Sequence, residues 1–371
     1  MNQYSPLFES GKLGNAATSN RYIVAPMTRV SAESDGRAND RMRDYYERYA
    51  KGGFGAIISE GIYIDEKHSQ GYFNQPGLAT DAHVDAWKPI VDTLHNHGTA
   101  FIAQLMHAGA QTQGNAYTDE TIAPSAVAPK GEQLGFYGGS GPFKTPKEMT
   151  DHDFAQVQEA FALTATQAKK AGFDGVEIHG ANGYLLDEFL TTYMNQRTDR
   201  YGGLEGGITF IQEIVNAVRD AVGPDFMVGI RLSQGKVADQ EYRWPDGEKD
   251  AKHIFSTLGD LPLDYIHVTD GNGTAPGFGE GTRSMAKAAS EESNLPVMAN
   301  GKLGHPDQAL KAVTDEKADF VTLGTGALAN PDTPNLVSSG KDLREFDAEA
   351  TLFPEAYIKD HELSLDIQPK K

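Results

Sequence analysis

Residues 150–184 read TDHDFAQVQEAFALTATQAKKAGFDGVEIHGANGY, which encodes one helix followed by one strand. Thr150 and Asp153 have the spacing of a capping box, and the apolar residues that follow recur at helical intervals. The pattern therefore predicts a helix over Asp151–Ala171. Gly172 is a typical helix stop, because glycine readily adopts the left-handed conformation with which many helices end.

A short apolar strand follows that helix and leads into polar residues. The strand is predicted over Gly175–Ile178, and His179, Asn182 and Tyr184 come directly after it. We expect His179 and Asn182, three residues apart in a helical turn, to point in the same direction. The unit thus places polar groups at the carboxyl end of a buried strand.

The same alternation runs through the chain and predicts eight strands and eight helices. The strands are rich in Val, Ile and Phe and are apolar on both faces, as in a parallel sheet covered by helices. The predicted strands are Tyr22–Ala25, Ala56–Ser59, Ala100–Leu105, Gly175–Ile178, Met227–Ile230, Tyr265–Val268, Val297–Ala299 and Phe320–Leu323. The helices that follow them in turn are Asp40–Lys51, Ala82–His97, Asp151–Ala171, Leu204–Val222, Asp250–Leu258, Arg283–Ser293, Pro306–Thr314 and roughly Asn335–Gly340.

Eight strand–helix units predict an α/β fold, a (β/α)8 TIM barrel, with a doubly wound open sheet as the structural alternative. Gly11–Gly14 predicts a small N-terminal hairpin that closes the barrel floor. Residues 110–149, after the third strand, are rich in Gly, Pro and Ser and too long for a connector, so we expect an active-site excursion over the barrel top. Because no linker stands out, we expect one domain over 1–371, with a C-terminal extension over about 341–371.

The composition excludes several classes of protein. Lys and Arg number 33 against 52 Asp and Glu, a net charge of −19. This disfavours nucleic acids and anionic membranes, which are bound mainly through Lys and Arg. The absence of cysteine rules out disulfides, Fe–S clusters, zinc–thiolate sites and cysteine nucleophiles. The chain opens without a secretory pattern and has no apolar run near the roughly 18 residues of a membrane span, so a cytoplasmic location is expected.

The residues at the strand ends indicate what the barrel binds, because barrel active sites lie there. The first five ends offer amides, a hydroxyl, an imidazole and a guanidinium, with few acids. The last two are Gly-rich and precede helices, where barrels often hold a phosphate. A flat heteroaromatic ring with several carbonyls and a phosphate tail fits this set, and FMN matches that description. The candidates are Pro26, Met27, Thr28, Gly61, Gln104, His179, Asn182, Tyr184, Arg231, Gly301, Lys302, Gly324 and Thr325.

Most of these residues also have a purely structural explanation. A histidine at a strand end is often a hydrogen-bonded structural residue, Tyr184 could serve packing alone, and Gln104 could bond locally. Arg231 differs, because a buried guanidinium needs a partner. The eleven histidines show no helical spacing typical of a metal site, so no metal is expected.

Longer motifs around these residues resemble a known family. The sequence HGANGYLLDEFL at 179–190, followed by NQRTDRYGG at 195–203, resembles the signature of the Old Yellow Enzyme family of FMN oxidoreductases. About two dozen positions make this match more specific than a phosphate loop. Further resemblance covers nearly the whole chain, in NRYIVAPMTR at 20–29, ISEG at 58–61, QLMHAG at 104–109, APSA at 123–126 and GTGALANPD at 324–332.

The resemblance implies that FMN binds noncovalently across the barrel mouth. His179 and Asn182 would hold an oxygen of the substrate, and Tyr184 would donate a proton. The implied cofactor contacts are Pro26, Met27 and Thr28 beside the flavin, with the Thr28 hydroxyl near its C4 carbonyl, Gly61 against the ring, Gln104 and Arg231 at the pyrimidine edge, and Gly301, Gly324 and Thr325 around the phosphate.

The chain departs from the family pattern in three respects. Thr325 stands where the family usually has an arginine on the phosphate, so we expect Lys302 to neutralise that charge instead. Glu205-Gly206-Gly207 replaces the family's Glu-Asn-Arg, so the start of that helix must be built differently. The length and the absence of cysteine place the chain among the short, single-barrel members.

The implied reaction is the reduction of an activated alkene. NADH or NADPH would reduce the flavin, which would then reduce the C=C bond of an α,β-unsaturated carbonyl or nitro compound. Alternatives are an FMN barrel that acts oxidatively, as a dehydrogenase or demethylase, a flavin-binding sensor without turnover, and a flavin-free sugar-phosphate barrel. An intact Tyr184 with His179 and Asn182 favours reduction. The expected partner is thus a small electrophilic alkene, with no nucleic acid or membrane, and the oligomeric state is left open, a homo-oligomer included.

Overall fold

The computed structural model describes residues 3–369 and contains a closed parallel barrel. Its strands are β1 (Tyr22–Val24), β2 (Ala56–Ile58), β3 (Ala100–Met106), β4 (Gly175–Asn182), β5 (Met227–Lys236), β6 (Tyr265–Thr269), β7 (Val297–Asn300) and β8 (Phe320–Leu323). Each pairs in parallel with its neighbours, β8 pairs with β1, and the pairing of β2 with β3 completes the ring. Closure confirms the predicted barrel and excludes the open sheet, whose edge strands would stay unpaired.

A helix follows each strand and covers the outside of the barrel. Apolar stripes on these helices face the sheet, which explains why the strands are buried on both faces. The helices are α1 (Asp40–Lys51), α2 (Asp81–Asn96), α3 (Asp151–Ala171), α4 (Gly203–Val222), α5 (Glu248–Gly259), α6 (Met285–Ser293), α7 (Pro306–Thr314) and α8 (Thr333–Ser338). None of the helices within residues 3–369 is both long and apolar enough to cross a lipid bilayer.

Helix α3 has the ends that its sequence predicts. The Asp153 carboxylate accepts a hydrogen bond from the Thr150 backbone N–H at 2.8 Å, and the Thr150 hydroxyl accepts one from the Asp153 N–H. Gly172 ends the helix with a φ of +94°, a conformation that costs other residues energy. Helix α4 begins at Gly203, and Gly202 before it makes no side-chain cap.

Several boundaries differ from those predicted. Strands β4 and β5 run to Asn182 and Lys236, because backbone pairing continues past the apolar residues into the polar site. The expected helical turn between His179 and Asn182 is therefore wrong, since both lie in β4. Helix α8 starts two residues early, and the short helix Thr325–Ala329 precedes it.

The N-terminal hairpin closes the barrel floor, as predicted. Its strands, Gly11–Leu13 and Ala16–Thr18, pair in antiparallel fashion. The Leu13 side chain is fully buried against the residues that fill the lower barrel interior, among them Met298 and Phe320. The end of the barrel away from the polar strand ends is thereby sealed with apolar side chains.

Two further segments lie over the open end of the barrel. The excursion after β3 contains the 3-10 turns Gly109–Gln111 and Gly135–Tyr137 and the paired strands Ile122–Ala123 and Lys147–Glu148. The last part of the described chain contains the helices Ala348–Leu352 and Asp360–Leu363. The remaining short elements are Ser5–Phe8, Ile62–Tyr63 and Leu185–Phe189.

Candidate active site

A cavity of about 730 Å³ opens at the carboxyl end of the barrel. Its size is that of a small-molecule or cofactor site. The structure brings to this cavity every site residue that the sequence predicts, although they come from seven different strand ends. They are Pro26, Met27, Thr28, Gly61, Gln104, His179, Asn182, Tyr184, Arg231, Gly301, Lys302, Gly324 and Thr325.

Asn182 faces the cavity because the chain turns sharply at the end of β4. Its φ is +62°, a left-handed conformation that asparagine tolerates better than most residues. The Ser233 hydroxyl accepts a hydrogen bond from the Asn182 N–H at 2.7 Å, and Gln111 donates to the Asn182 carbonyl at 2.9 Å. These bonds fix the turn between His179 and Tyr184.

A buried ion pair supports the same turn from below. The Lys236 ammonium lies 2.6 Å from Asp187 Oδ1, and both side chains are almost completely buried. Asp187 Oδ2 accepts the Gly183 N–H at 2.7 Å, between Asn182 and Tyr184. The carboxylate therefore links β5 to the residues that enter the cavity.

His179 is a neutral imidazole in the cavity wall. Burial lowers its pKa to about 3, and the nearby Arg231 charge contributes in the same direction. Its Nδ1 atom is buried and makes no hydrogen bond within the described structure. Because buried polar atoms normally have partners, this atom indicates a polar ligand in the cavity.

Tyr184 is a protonated phenol beside that imidazole. Burial raises its pKa to about 12, although a hydrogen bond from Tyr72 and the Arg231 charge oppose the shift. The Tyr72 and Tyr184 hydroxyls lie 2.5 Å apart, and the rings of His179 and Tyr184 are centred 5.1 Å apart. The phenol thus keeps its proton at neutral pH while it lies next to two hydrogen-bonding groups.

The end of β1 is held from both sides. The Glu60 carboxylate accepts the Arg29 N–H at 3.0 Å, which ties the segment around Thr28 to the end of β2. The Arg29 guanidinium is fully buried and pairs with Glu362 near the end of the described chain, at 2.6 Å. Tyr137 of the excursion donates to the Thr28 carbonyl at 3.1 Å. The wall formed by residues 26–28 is therefore rigid.

Arg231 presents hydrogen-bond donors to the cavity. It is 6% exposed, its Nη2 donates to Asn300 Oδ1 at 3.2 Å, and its Nε has no partner among the described residues. A guanidinium carries five N–H groups and accepts no hydrogen bonds. Its unused donors fit a ligand with carbonyl or ring-nitrogen acceptors.

The far end of the cavity is formed by β7 and β8. A Cβ at Gly301 would lie 2.1 Å from the Asp270 carbonyl oxygen, so only glycine fits there. The helix Thr325–Ala329 begins directly after Gly324, and first-turn amides of a helix lack partners within it. Lys302 lines this end with an exposed side chain. These groups fit an anionic tail.

The sequence alone did not reveal several residues of the site. Tyr72 and Tyr137 lie in loops without a strand-end position, so no pattern singled them out. Arg344 also lines the cavity, and its guanidinium pairs with Asp332 at 2.8 Å. A signal was available for Glu177, a charged residue inside the apolar stretch Gly175–Ile178, which accepts a hydrogen bond from Gln104 at 2.8 Å.

The donor set fits FMN better than a metal ion. The unpaired donors of Arg231 suit a carbonyl-rich ring, and the end formed by Gly301 and Gly324 suits a phosphate. Within residues 3–369, no group of three or more His, Asp or Glu side chains is placed to hold a metal.

Comparison with known proteins supports the same interpretation. The chain is 34% identical over 344 residues to a probable flavin mononucleotide-dependent alkene reductase of Leishmania infantum, covering 90% of this chain and 91% of that protein. It is 31% identical over 350 residues to an NADH oxidase of Thermoanaerobacter brockii, covering 92% of this chain but 52% of that protein. The chain thus spans about half the length of the second relative.

A solved structure shares the fold over almost its whole length. The Old Yellow Enzyme homologue from Zymomonas mobilis superposes with a TM-score of 0.84 at 28% identity, covering 95% of this chain and 98% of that one. The model of one family, described as NADH:flavin oxidoreductase / NADH oxidase, matches residues 6–344. The chain therefore belongs to the NADH:flavin oxidoreductase / NADH oxidase family and is an Old Yellow Enzyme homologue.

Proposed function

We propose that the chain is an FMN-dependent oxidoreductase that uses NADH or NADPH to reduce the C=C bond of alkenes conjugated to a carbonyl or nitro group. One observation carries the proposal. A neutral imidazole, an amide and a protonated phenol, from His179, Asn182 and Tyr184, line one cavity together with the Arg231 donors. An acid beside oxygen-binding donors suits reduction rather than oxidation of the substrate.

The three residues would act on the substrate in concert. Bound FMN would supply the redox chemistry, taking a hydride from the nicotinamide and passing it to the β carbon of the alkene. His179 and Asn182 would hold the substrate oxygen and stabilise the negative charge that develops there. Tyr184 would protonate the α carbon, and its raised pKa keeps the proton available at neutral pH.

The cofactor contacts follow the cavity wall. Pro26, Met27 and Thr28 would lie along one side of the flavin and Gly61 against it, on a wall that Glu60 and Glu362 hold in place. Gln104 and Arg231 would bind the pyrimidine edge. The residues proposed around the phosphate are Gly301, Lys302, Gly324 and Thr325.

Replacing His179 or Asn182 by alanine tests the substrate-oxygen site. Phenols bind as phenolates where such a site holds an oxyanion, so each variant is expected to weaken p-hydroxybenzaldehyde binding. The loss of one donor in a dry site costs roughly 2–4 kcal/mol, or about 30- to 1000-fold in Kd. The measurement is titration of the long-wavelength charge-transfer band of the FMN-loaded protein.

His95→Ala is the matched control for that titration. His95 lies on the outer surface, where its Nε2 is 2.9 Å from Asp174, and its loss should leave phenolate affinity unchanged. Equal affinity in wild type, His179→Ala and Asn182→Ala would contradict the assignment of the oxygen site.

Lys302→Ala tests how the FMN phosphate is neutralised without an arginine at 325. Lys302 is exposed at the cavity end formed by β7 and β8, so its charge is screened by salt. The variant should raise the Kd of FMN by about three- to tenfold at low ionic strength, with a smaller effect at high salt. Fluorescence titration of the apoprotein with FMN measures both values.

Lys12→Ala serves as its control, because Lys12 is exposed on the hairpin at the opposite end of the barrel. If Lys302→Ala and Lys12→Ala have the same FMN Kd at low salt, Lys302 does not neutralise the phosphate. The phosphate would then rest on backbone amides and the Thr325 hydroxyl.

A further inference from the structure

A buried carboxylate lies directly behind the cavity wall. Glu177 is the third residue of β4 and is completely buried between apolar neighbours. Glu177 precedes His179 by two residues, and its backbone partner in the neighbouring strand β3 is Gln104. An ionised carboxylate in the protein interior is costly unless it is hydrogen-bonded. The hydrogen-bond partners of Glu177 therefore indicate its role.

Within the described part of the chain, three hydrogen-bond donors contact Glu177. Its Oε1 accepts from Gln104 Nε2 at 2.8 Å, and its Oε2 accepts from the Tyr265 hydroxyl at 3.0 Å and from His267 Nδ1 at 2.9 Å. Burial alone would raise the pKa of Glu177, but the hydrogen bond from His267, the Arg231 charge and the hydrogen bond from Gln104 together hold it below its usual value. Glu177 is therefore an anion with a complete set of donors.

His267 does not cancel that negative charge. Its Nδ1 faces the carboxylate and so carries a hydrogen, while its Nε2 lies 2.9 Å from the Thr322 hydroxyl. That hydroxyl has one hydrogen to donate, and Nε2 is a nearer acceptor for it than the Ala299 carbonyl, which lies 3.4 Å away. Burial lowers the pKa of His267, which favours the neutral ring. The Glu177 network thus holds one net negative charge behind the Arg231 guanidinium.

The carboxylate also fixes the direction of the Gln104 amide. A carboxylate only accepts hydrogen bonds, so the amide nitrogen faces Glu177 and the carbonyl oxygen turns away from it. The Gln104 oxygen lies close to Gly61 in the cavity wall. A Cβ added to Gly61 would lie 3.5 Å from it. Gln104 therefore offers an acceptor to the same cavity that Arg231 lines with donors.

An acceptor beside donors matches a specific edge of a ligand. The pyrimidine ring of a flavin has an N–H at position 3 next to the C2 carbonyl, so the Gln104 oxygen suits the first and Arg231 the second. We propose that Glu177 is a positioning residue for this end of the bound FMN, which sets the Gln104 amide and offsets the Arg231 charge. The proposal rests on the proposed function, since it needs FMN in the cavity.

Glu177→Gln separates charge from shape. The new amide can still accept from Gln104, while Tyr265 and His267 can each exchange donor and acceptor roles, so the fold is retained. Arg231 loses its counter-charge, and the negative charge that the ring gains on reduction becomes more favourable. We therefore expect a more positive midpoint potential of the bound FMN. Sulfite addition also leaves negative charge on the pyrimidine ring, so the Kd of sulfite should fall by on the order of tenfold.

Asp264→Asn is the matched control. Asp264 lies at the opposite end of the barrel, where it pairs with Arg219 at 2.8 Å. The substitution removes the same charge, so the potential and the sulfite Kd should stay at the wild-type values. A long-range effect of net charge alone would shift both variants equally.

Glu177→Asp tests whether Glu177 positions the Gln104 amide. It also tests the proposal if Glu177→Gln fails to fold. It keeps the charge but shortens the side chain, so the contact with Gln104 is lost. The Kd of FMN should rise several-fold while the sulfite Kd stays near that of wild type. An unchanged FMN Kd would overturn the positioning role, and a sulfite Kd that falls as in Glu177→Gln would overturn the charge role.

The outcomes distinguish this proposal from the function on which it rests. A wild-type chain that takes up no FMN would refute the proposed function itself. A wild-type chain that binds FMN, with an unchanged potential and sulfite Kd in folded Glu177→Gln, would overturn the role of Glu177 alone.

Discussion

Replacing Tyr184 with phenylalanine is expected to slow alkene reduction by about 10²–10⁴-fold, the usual contribution of a positioned general acid. Reduction of the flavin by NADH or NADPH should stay near the wild-type rate, because that step needs no proton from Tyr184. Stopped-flow absorbance at the flavin band, with the two half-reactions measured separately, gives both rates. A buried phenol whose pKa is raised to about 12 also predicts a rate that is flat between pH 6 and pH 9.

Tyr22→Phe is the matched control for this substitution. Tyr22 is fully buried in β1 and its hydroxyl has no partner among the described residues, so it tests the loss of a buried phenol oxygen elsewhere. Both half-reactions should be unaffected. Equal slowing of the two half-reactions in Tyr184→Phe would show that Tyr184 positions the flavin rather than donating the proton.

Lys236→Met is expected to lower the free energy of unfolding by about 3–5 kcal/mol. The substitution leaves the Asp187 carboxylate buried without its ammonium partner, which lies 2.6 Å away in the wild type. Burial raises the pKa of Asp187, and without Lys236 the carboxyl should take up a proton on folding. The deficit should therefore shrink as the pH falls toward 4 and grow as the pH rises. Urea unfolding at several pH values measures it.

Two further variants test the origin of that effect. Lys249→Met removes a surface lysine whose partner, Asp246, lies 3.3 Å away, and should leave stability unchanged. Asp187→Asn added to Lys236→Met removes the unpaired charge and should restore much of the loss. A double variant as unstable as Lys236→Met would show that packing, not charge, dominates.

The strand ends could be predicted from the sequence because barrel topology converts local patterns into one site. The pattern of apolar strands followed by polar residues was enough to predict that Thr28, Gln104 and Arg231 meet, although they are far apart in the chain. All three line the same cavity. The same reasoning failed where the backbone pairing of a strand continues beyond its apolar residues. It ended β4 at Ile178, whereas the structure extends it to Asn182 and turns the chain through a left-handed residue.

Contacts between distant loops could not be predicted in this way. Tyr72 and Tyr184 are 112 residues apart, and nothing in either segment indicates that their hydroxyls meet. The salt bridge between Arg29 and Glu362 joins the segment after β1 to a residue near the end of the described chain. Glu177 depends on partners from two other strands, Gln104 of β3 and both Tyr265 and His267 of β6. Such pairs follow from the assembled barrel and not from the periodicity of any one element.

We propose that FMN bound in this barrel passes a hydride from a nicotinamide to an activated alkene. The most direct measurement is the anaerobic visible spectrum of the FMN-reconstituted chain, taken after NADH or NADPH and again after 2-cyclohexenone. We predict one FMN per chain, loss of the yellow absorbance with the nicotinamide, and its full return as cyclohexanone forms. A colourless protein that takes up no FMN, or a bleached one that stays bleached with the enone, would contradict the account.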